Sequence, residues 1–142
     1  MRILKVYIFY SIMFLSLLFI YRRTDLLDSN LLTIDQASHT FDLLTLFILV
    51  VLVFPLFEEL IFRWGLFNWL LNRYGLLIAS IVTSFLWVGL HFDDNFLNIF
   101  FLVLFSAILV MLRIYSGRLY HSFFIHSFNN FSFLALYLLE VI

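Results

Sequence analysis

Phe54-Pro55-Leu56-Phe57-Glu58-Glu59-Leu60-Ile61-Phe62-Arg63-Trp64-Gly65 sets two carboxylates and a guanidinium inside a run whose apolar, helical pattern extends from about residue 42 to 72. At about 100° per residue, Glu59 and Arg63 share one helix face and can pair. Glu58 points about 100° away and has no local partner. That is the disposition of a general base facing a cavity. In lipid each such group costs about 2.5–3.5 kcal/mol on insertion scales, so ionisable residues at this depth are functional candidates.

The rest of the chain puts that stretch in a membrane. Of 142 residues, 65% are hydrophobic and 21% aromatic, with 20 Phe and only 12% charged; mean hydropathy is +1.10. Soluble domains run at about 45–50% apolar and about 25% charged, so a soluble globular domain, a disordered chain and a basic nucleic-acid binder are excluded. At about 20 residues per span, the reading is an all-α, polytopic helical membrane bundle of about five transmembrane helices, one domain over 1–142. The spans run from Val6 to Tyr21 as an uncleaved signal anchor, from about 42 to 72, from Leu76 to Phe92, from Phe96 to Tyr115, and from Leu119 to Ile142. A polar loop occupies 22–40, and Asn72-Arg73-Tyr74-Gly75 and Ser116-Gly117-Arg118 supply turns. An N-inside arrangement collects Arg2, Lys5, Arg73, Arg113 and Arg118 on the cytoplasmic side, opposed by Arg22 and Arg23. With no Cys, chemistry falls to Glu, Asp, His, Ser, Asn or Arg.

Two further elements carry polar groups at depth. Glu58 lies 16 residues before Tyr74 and His91 lies 17 after it, so on antiparallel helices both stand about 25 Å from the turn. His126 and Asn130 are four apart and project an imidazole and an amide from one face. His121 reads as interfacial and Asn129 as a packing amide. Upright helices would leave His91 and His126 apart by about 12 Å in depth, so a shared site requires a tilt, a kink, or continuation of the third helix past Phe92. No His-Glu-x-x-His, no Gly-x-Ser nucleophile and no Gly-x-Gly-Asp occurs.

In order, Glu58-Glu59-Leu60-Ile61-Phe62-Arg63, Trp87-Val88-Gly89-Leu90-His91 and His126-Ser127-Phe128-Asn129-Asn130 resemble the Glu-Glu-x-x-x-Arg, Phe-x-x-x-His and His-x-x-x-Asn elements of the CAAX-prenyl-protease and bacteriocin-processing family of intramembrane proteases, also called abortive-infection-like proteins. Pro55, Gly65 and Gly117-x-Leu119 agree with its flanks. The resemblance covers about 45–135, and Trp87 stands where that family usually has Phe.

The resemblance implies an intramembrane endopeptidase of the bacterial cytoplasmic membrane, N-terminus cytoplasmic. Glu58 and His91 would activate water, Glu58 as base. His126 and Asn130 would donate to the oxyanion, and Glu59 with Arg63 would support Glu58. Glu58, His91 and His126 are also the ligand set of some catalytic zinc sites; a metal-free glutamate mechanism uses the same residues. Implied partners are membrane lipids and a peptide or prenylated-peptide substrate, with self-association a route to closing the cavity of so short a chain. The competing reading is a bacteriocin self-immunity protein that works by binding.

Overall fold

Asp42 starts the second helical run: its Oδ1 accepts from the Thr45 amide and its Oδ2 from the Thr45 hydroxyl, both at 2.9 Å. Those two bonds hold the carboxyl below the ordinary carboxylate range, so the cap is intact above that range and is lost as pH falls through the lowered value. The computed structural model describes residues 2–21, 42–91 and 95–141, and side chains at all of these but 17–21, 140 and 141. The polar loop expected at 22–40 lies outside the described residues, as do Phe92, Asp93 and Asp94. In chain order the elements are α1 (Arg2–Tyr21), α2 (Leu43–Phe47), the π-helix π1 (Ile48–Val53), α3 (Phe54–Glu58), the π-helix π2 (Glu59–Leu66), α4 (Phe67–Gly89), α5 (Phe96–Ser116) and α6 (Leu119–Val141).

The single expected helix from 42 to 72 is therefore α-helical in pieces, interrupted by two wide π segments. Pro55 explains the first. A proline inside a helix has no N–H and its ring crowds the carbonyl four residues back, and a widened turn relieves that crowding. The Phe54 N–H bonds to Leu49 O, and residue 55 has no N–H to give, so the Val50 carbonyl lacks a donor from the next turn. Asn130 Nδ2, from α6, donates to it at 3.0 Å. In π2, a Cβ on Gly65 would lie 3.3 Å from the Leu60 carbonyl, five residues back, which suits glycine to that turn.

Gly75 turns the chain back. Its φ of 82° and ψ of 176° interrupt α4, a region open essentially to glycine alone. Glu58 and Trp87 touch at 2.6 Å although they are 29 residues apart, a separation of about 43 Å along a straight helix. The helix beyond the turn ends at Gly89 and is followed by a turn at Leu90 and His91, so the expected span to Phe92 is shorter than read. Among the described residues, three runs have the length and apolarity of a membrane span, Leu43–Gly89, Phe96–Ser116 and Leu119–Leu139. The first of these runs holds both arms of the hairpin, the expected span from about 42 to 72 and the one that begins at Leu76, because a turn closed by one glycine leaves no loop between them.

The helices pack through one main cluster. Val6, Tyr10 and Phe14 of α1 meet Phe105, Ile108, Leu109 and Leu112 of α5, with Phe62, Trp87 and Ile125 completing it. Phe67, Leu70 and Ala79 pack on Val110, and Leu46 and Val51 on Leu134 and Tyr137. Large apolar side chains such as Leu77 and Phe85 point outward, as lipid contact requires. Asn95 caps α5 by accepting from the Leu97 and Asn98 amides, and Gly117, at φ 65°, ends it in the left-handed region.

Replacing Gly75 by Ala should cost about 1–3 kcal/mol through backbone strain alone, since no atom lies within 4 Å of the added Cβ. Gly89→Ala, at an equally open position with ordinary φ, should be neutral. Unfolding of the two variants by SDS titration in mixed micelles measures the difference.

Candidate active site

The π2 helix places Glu59 and Arg63 wholly inside the bundle, at 0% exposure each. They pair, Arg63 Nε to Glu59 Oε1 at 3.7 Å. From α6, the buried His126 brings Nδ1 to 3.1 Å from the same Glu59 Oε1. A carboxylate only accepts, so Nδ1 carries the hydrogen of this bond. Arg63 Nη2 donates to Ser106 Oγ of α5 at 3.1 Å, and its guanidinium lies over the Trp87 ring, 4.8 Å from the centroid. Glu59 is thus held between a cation and an imidazole in a space that water does not reach.

Glu58 is different. It is the last residue of α3, and its side chain is 31% exposed. Its Oε2 accepts the Trp87 indole N–H at 2.6 Å and stands 3.7 Å from His126 Nε2. One imidazole therefore sits between the two carboxylates, Nδ1 to Glu59 and Nε2 towards Glu58. The arrangement offers one accessible carboxylate, backed by a buried charged network that fixes its neighbours.

The other candidates fall in different places. His91 is exposed in the turn after α4; its Nδ1 donates to the Trp87 carbonyl at 2.9 Å, and its ring packs on the indole at 4.2 Å. Among the described residues it makes no ion pair with Glu58 or Glu59. The residue across the hairpin that meets the Glu58 carboxylate is Trp87, one helical turn before His91. Asn130 turns to Val50 O. His121 bonds the Tyr7 hydroxyl at 2.7 Å, and Asn129 accepts from Tyr10 at 3.5 Å, both tying α6 to α1. Reading the sequence missed Ser106, which the isolated serine in apolar α5 signals, and the part of Trp87 as donor, which its indole signals.

Among the described residues no three His, Asp or Glu side chains converge as a metal-ligand group. His91 and His126 each spend Nδ1 on a hydrogen bond, to the Trp87 carbonyl and to Glu59, and each keeps Nε2.

Over residues 40–132 the sequence matches the family described as type II CAAX prenyl endopeptidase Rce1-like. The chain belongs to that family. No curated protein and no solved structure matches it. The match takes in all three polar elements, α2 to α5 and most of α6. Helix α1 lies outside it and packs against the matched region through the Tyr7–His121 and Tyr10–Asn129 bonds. As a member of the Rce1-like family with three apolar runs of span length or more among the described residues, the chain is an integral membrane protein of a protease family.

Arg63→Met should destabilise the protein by about 3–5 kcal/mol, the cost of leaving a buried carboxylate without its cation. The double variant Glu59→Leu/Arg63→Met should lose less than the sum of the two single changes, because both charges leave together. Thermal unfolding in detergent of the three variants gives the coupling energy.

Proposed function

We propose that this protein is an intramembrane endopeptidase that hydrolyses a peptide bond of a membrane-associated peptide, of the prenylated C-terminal kind in the family description, with water activated by Glu58. The observation that carries this reading is the division of labour in the Glu-Glu pair. Glu59 is consumed by Arg63 and His126, while Glu58 keeps an accessible carboxylate beside the same imidazole.

In the reaction, the Glu58 carboxylate takes a proton from water as the oxygen attacks the scissile carbonyl, and passes it to the leaving amine as the C–N bond breaks. The oxyanion that forms between these steps needs donors. His126 supplies Nε2–H when it is protonated, and the amide of Asn130 has a second hydrogen beyond the one spent on Val50 O. Each such donor is worth about 2.7–4 kcal/mol in a well-studied protease. His91, fixed by its Nδ1 bond to the Trp87 carbonyl, keeps Nε2 for the water or the substrate at the rim. Low-dielectric surroundings strengthen every one of these interactions. The metal alternative would use Glu58, His91 and His126, and no step here depends on it.

Orientation follows the charges. Tyr7 meets His121 at the start of α6, and Arg113 joins Asn68 before the Gly75 turn to the Gly117 carbonyl. These contacts bring Arg2, Lys5, Arg73, Arg113 and Arg118 to one end of the bundle, which we assign to the cytoplasm.

Purified protein should cleave a panel of prenylated and unmodified membrane-associated peptides. Glu58→Gln should lower the rate by about 10²–10⁴-fold, the usual weight of a general base, while remaining monodisperse, and chelation should leave the wild type active. Loss of cleavage on chelation would put a metal on Glu58, His91 and His126. Cleavage undiminished in Glu58→Gln would sink the glutamate mechanism, and absence of cleavage with retained protection against a bacteriocin would favour the binding role.

A further inference from the structure

Glu58 receives its hydrogen bond from a residue to which the proposed reaction gives no part. The Trp87 indole N–H reaches Oε2 at 2.6 Å, at the short end for a bond to an ionised acceptor. The indole is 1% exposed and held on every side. Arg63 lies over it at 4.8 Å, His126 meets it edge-on at 5.5 Å, Phe105 packs at 6.1 Å, and His91 at 4.2 Å. The direction of its N–H is therefore set by packing from π2, α5 and α6, and Glu58 conforms to it.

The carboxylate has two oxygens, and the terminal torsion of glutamate is broad and close to two-fold. Nothing in the side chain itself distinguishes them. The environment does: Oε2 takes the indole N–H and lies 3.7 Å from His126 Nε2, whereas among the described residues no hydrogen bond reaches Oε1. We propose that Trp87 is a positioning residue that anchors Oε2 of Glu58 and leaves Oε1 as the oxygen that takes the proton from water. The inference rests on the proteolytic reading above and deepens it. Phenylalanine, usual at this place in the family the sequence resembles, keeps the ring and has no N–H, so the anchor belongs to this chain's own tryptophan.

A spectroscopic arm tests the anchor and a kinetic arm tests its use. The chain has three tryptophans, of which Trp64 and Trp69 are exposed, so a nitrogen-15 spectrum of the detergent-solubilised full chain holds three indole N–H signals. Trp87→Phe identifies the one from Trp87. Glu58→Ala should move that signal upfield and leave those of Trp64 and Trp69 in place. In the cleavage assay, Trp87→Phe should lower kcat by about tenfold or more, the range in which orienting partners act, with KM changed by no more than about twofold; Trp64→Phe should match the wild type. A Trp87 signal indifferent to Glu58→Ala, or a Trp87→Phe protein with wild-type kcat, overturns the proposal. A signal that moves in a protein that cleaves nothing upholds the anchor and rejects the proteolytic reading.

Discussion

A guanidinium and a carboxylate at zero exposure inside an apolar bundle are the constraint on which this structure depends. Neither Arg63 nor Glu59 can be buried alone, and their own pairing at 3.7 Å is not enough to satisfy both. The bundle adds side chains from three other helices: Ser106 and Trp87 for Arg63, and His126 for Glu59, while Glu59 Oε2 and Arg63 Nε and Nη1 make no hydrogen bond among the described residues. The crossing of π2, α4, α5 and α6 is therefore set by a polar contact, with the apolar clusters packed around it. In lipid this is the expected weighting, since apolar side chains gain little by leaving acyl chains for one another, while an unsatisfied polar group is costly.

The backbone shows the same economy. Pro55 removes a donor from the helix that carries the acidic pair, and the freed Val50 carbonyl is met by Asn130 from α6. One residue thereby mends a helix and docks another against it. The π segments on either side of α3 alter the angular spacing of side chains locally. Glu58 ends α3 and Glu59 begins π2; Glu59 enters the network and Glu58 reaches the accessible side. Such π turns occur often at functional sites, and here two adjacent carboxylates have different surroundings.

That difference is what gives the site its chemical character. Two equivalent glutamates in lipid would repel and compete for the same imidazole and cation. Burial of one with its partners leaves the other as a separate carboxylate, anchored by the Trp87 N–H on one oxygen. His126 touches both, and so links the structural carboxylate to the accessible one.

Composition and spacing were enough for much of this. The apolar content leaves a helical membrane protein, because such a chain cannot remain in water and lipid accepts only closed hydrogen-bonding patterns. The four-residue spacing of Glu59 and Arg63 foretells a pair because both periodicities, α and π, keep those positions on nearly one face. Depth along the hairpin was a different matter. Counting residues from Tyr74 placed His91 level with Glu58; in the fold it is Trp87, one turn earlier, that meets the Glu58 carboxylate, and His91 packs on the indole. Asn130 likewise reads as a donor, but only the fold shows its hydrogen bond to the Val50 carbonyl that Pro55 leaves open. Local sequence determined which groups had to be paired, through the cost of burying charge. Tertiary structure alone decided with whom, because the partners come from helices whose relative depth depends on small changes in rise and turn that accumulate over many residues.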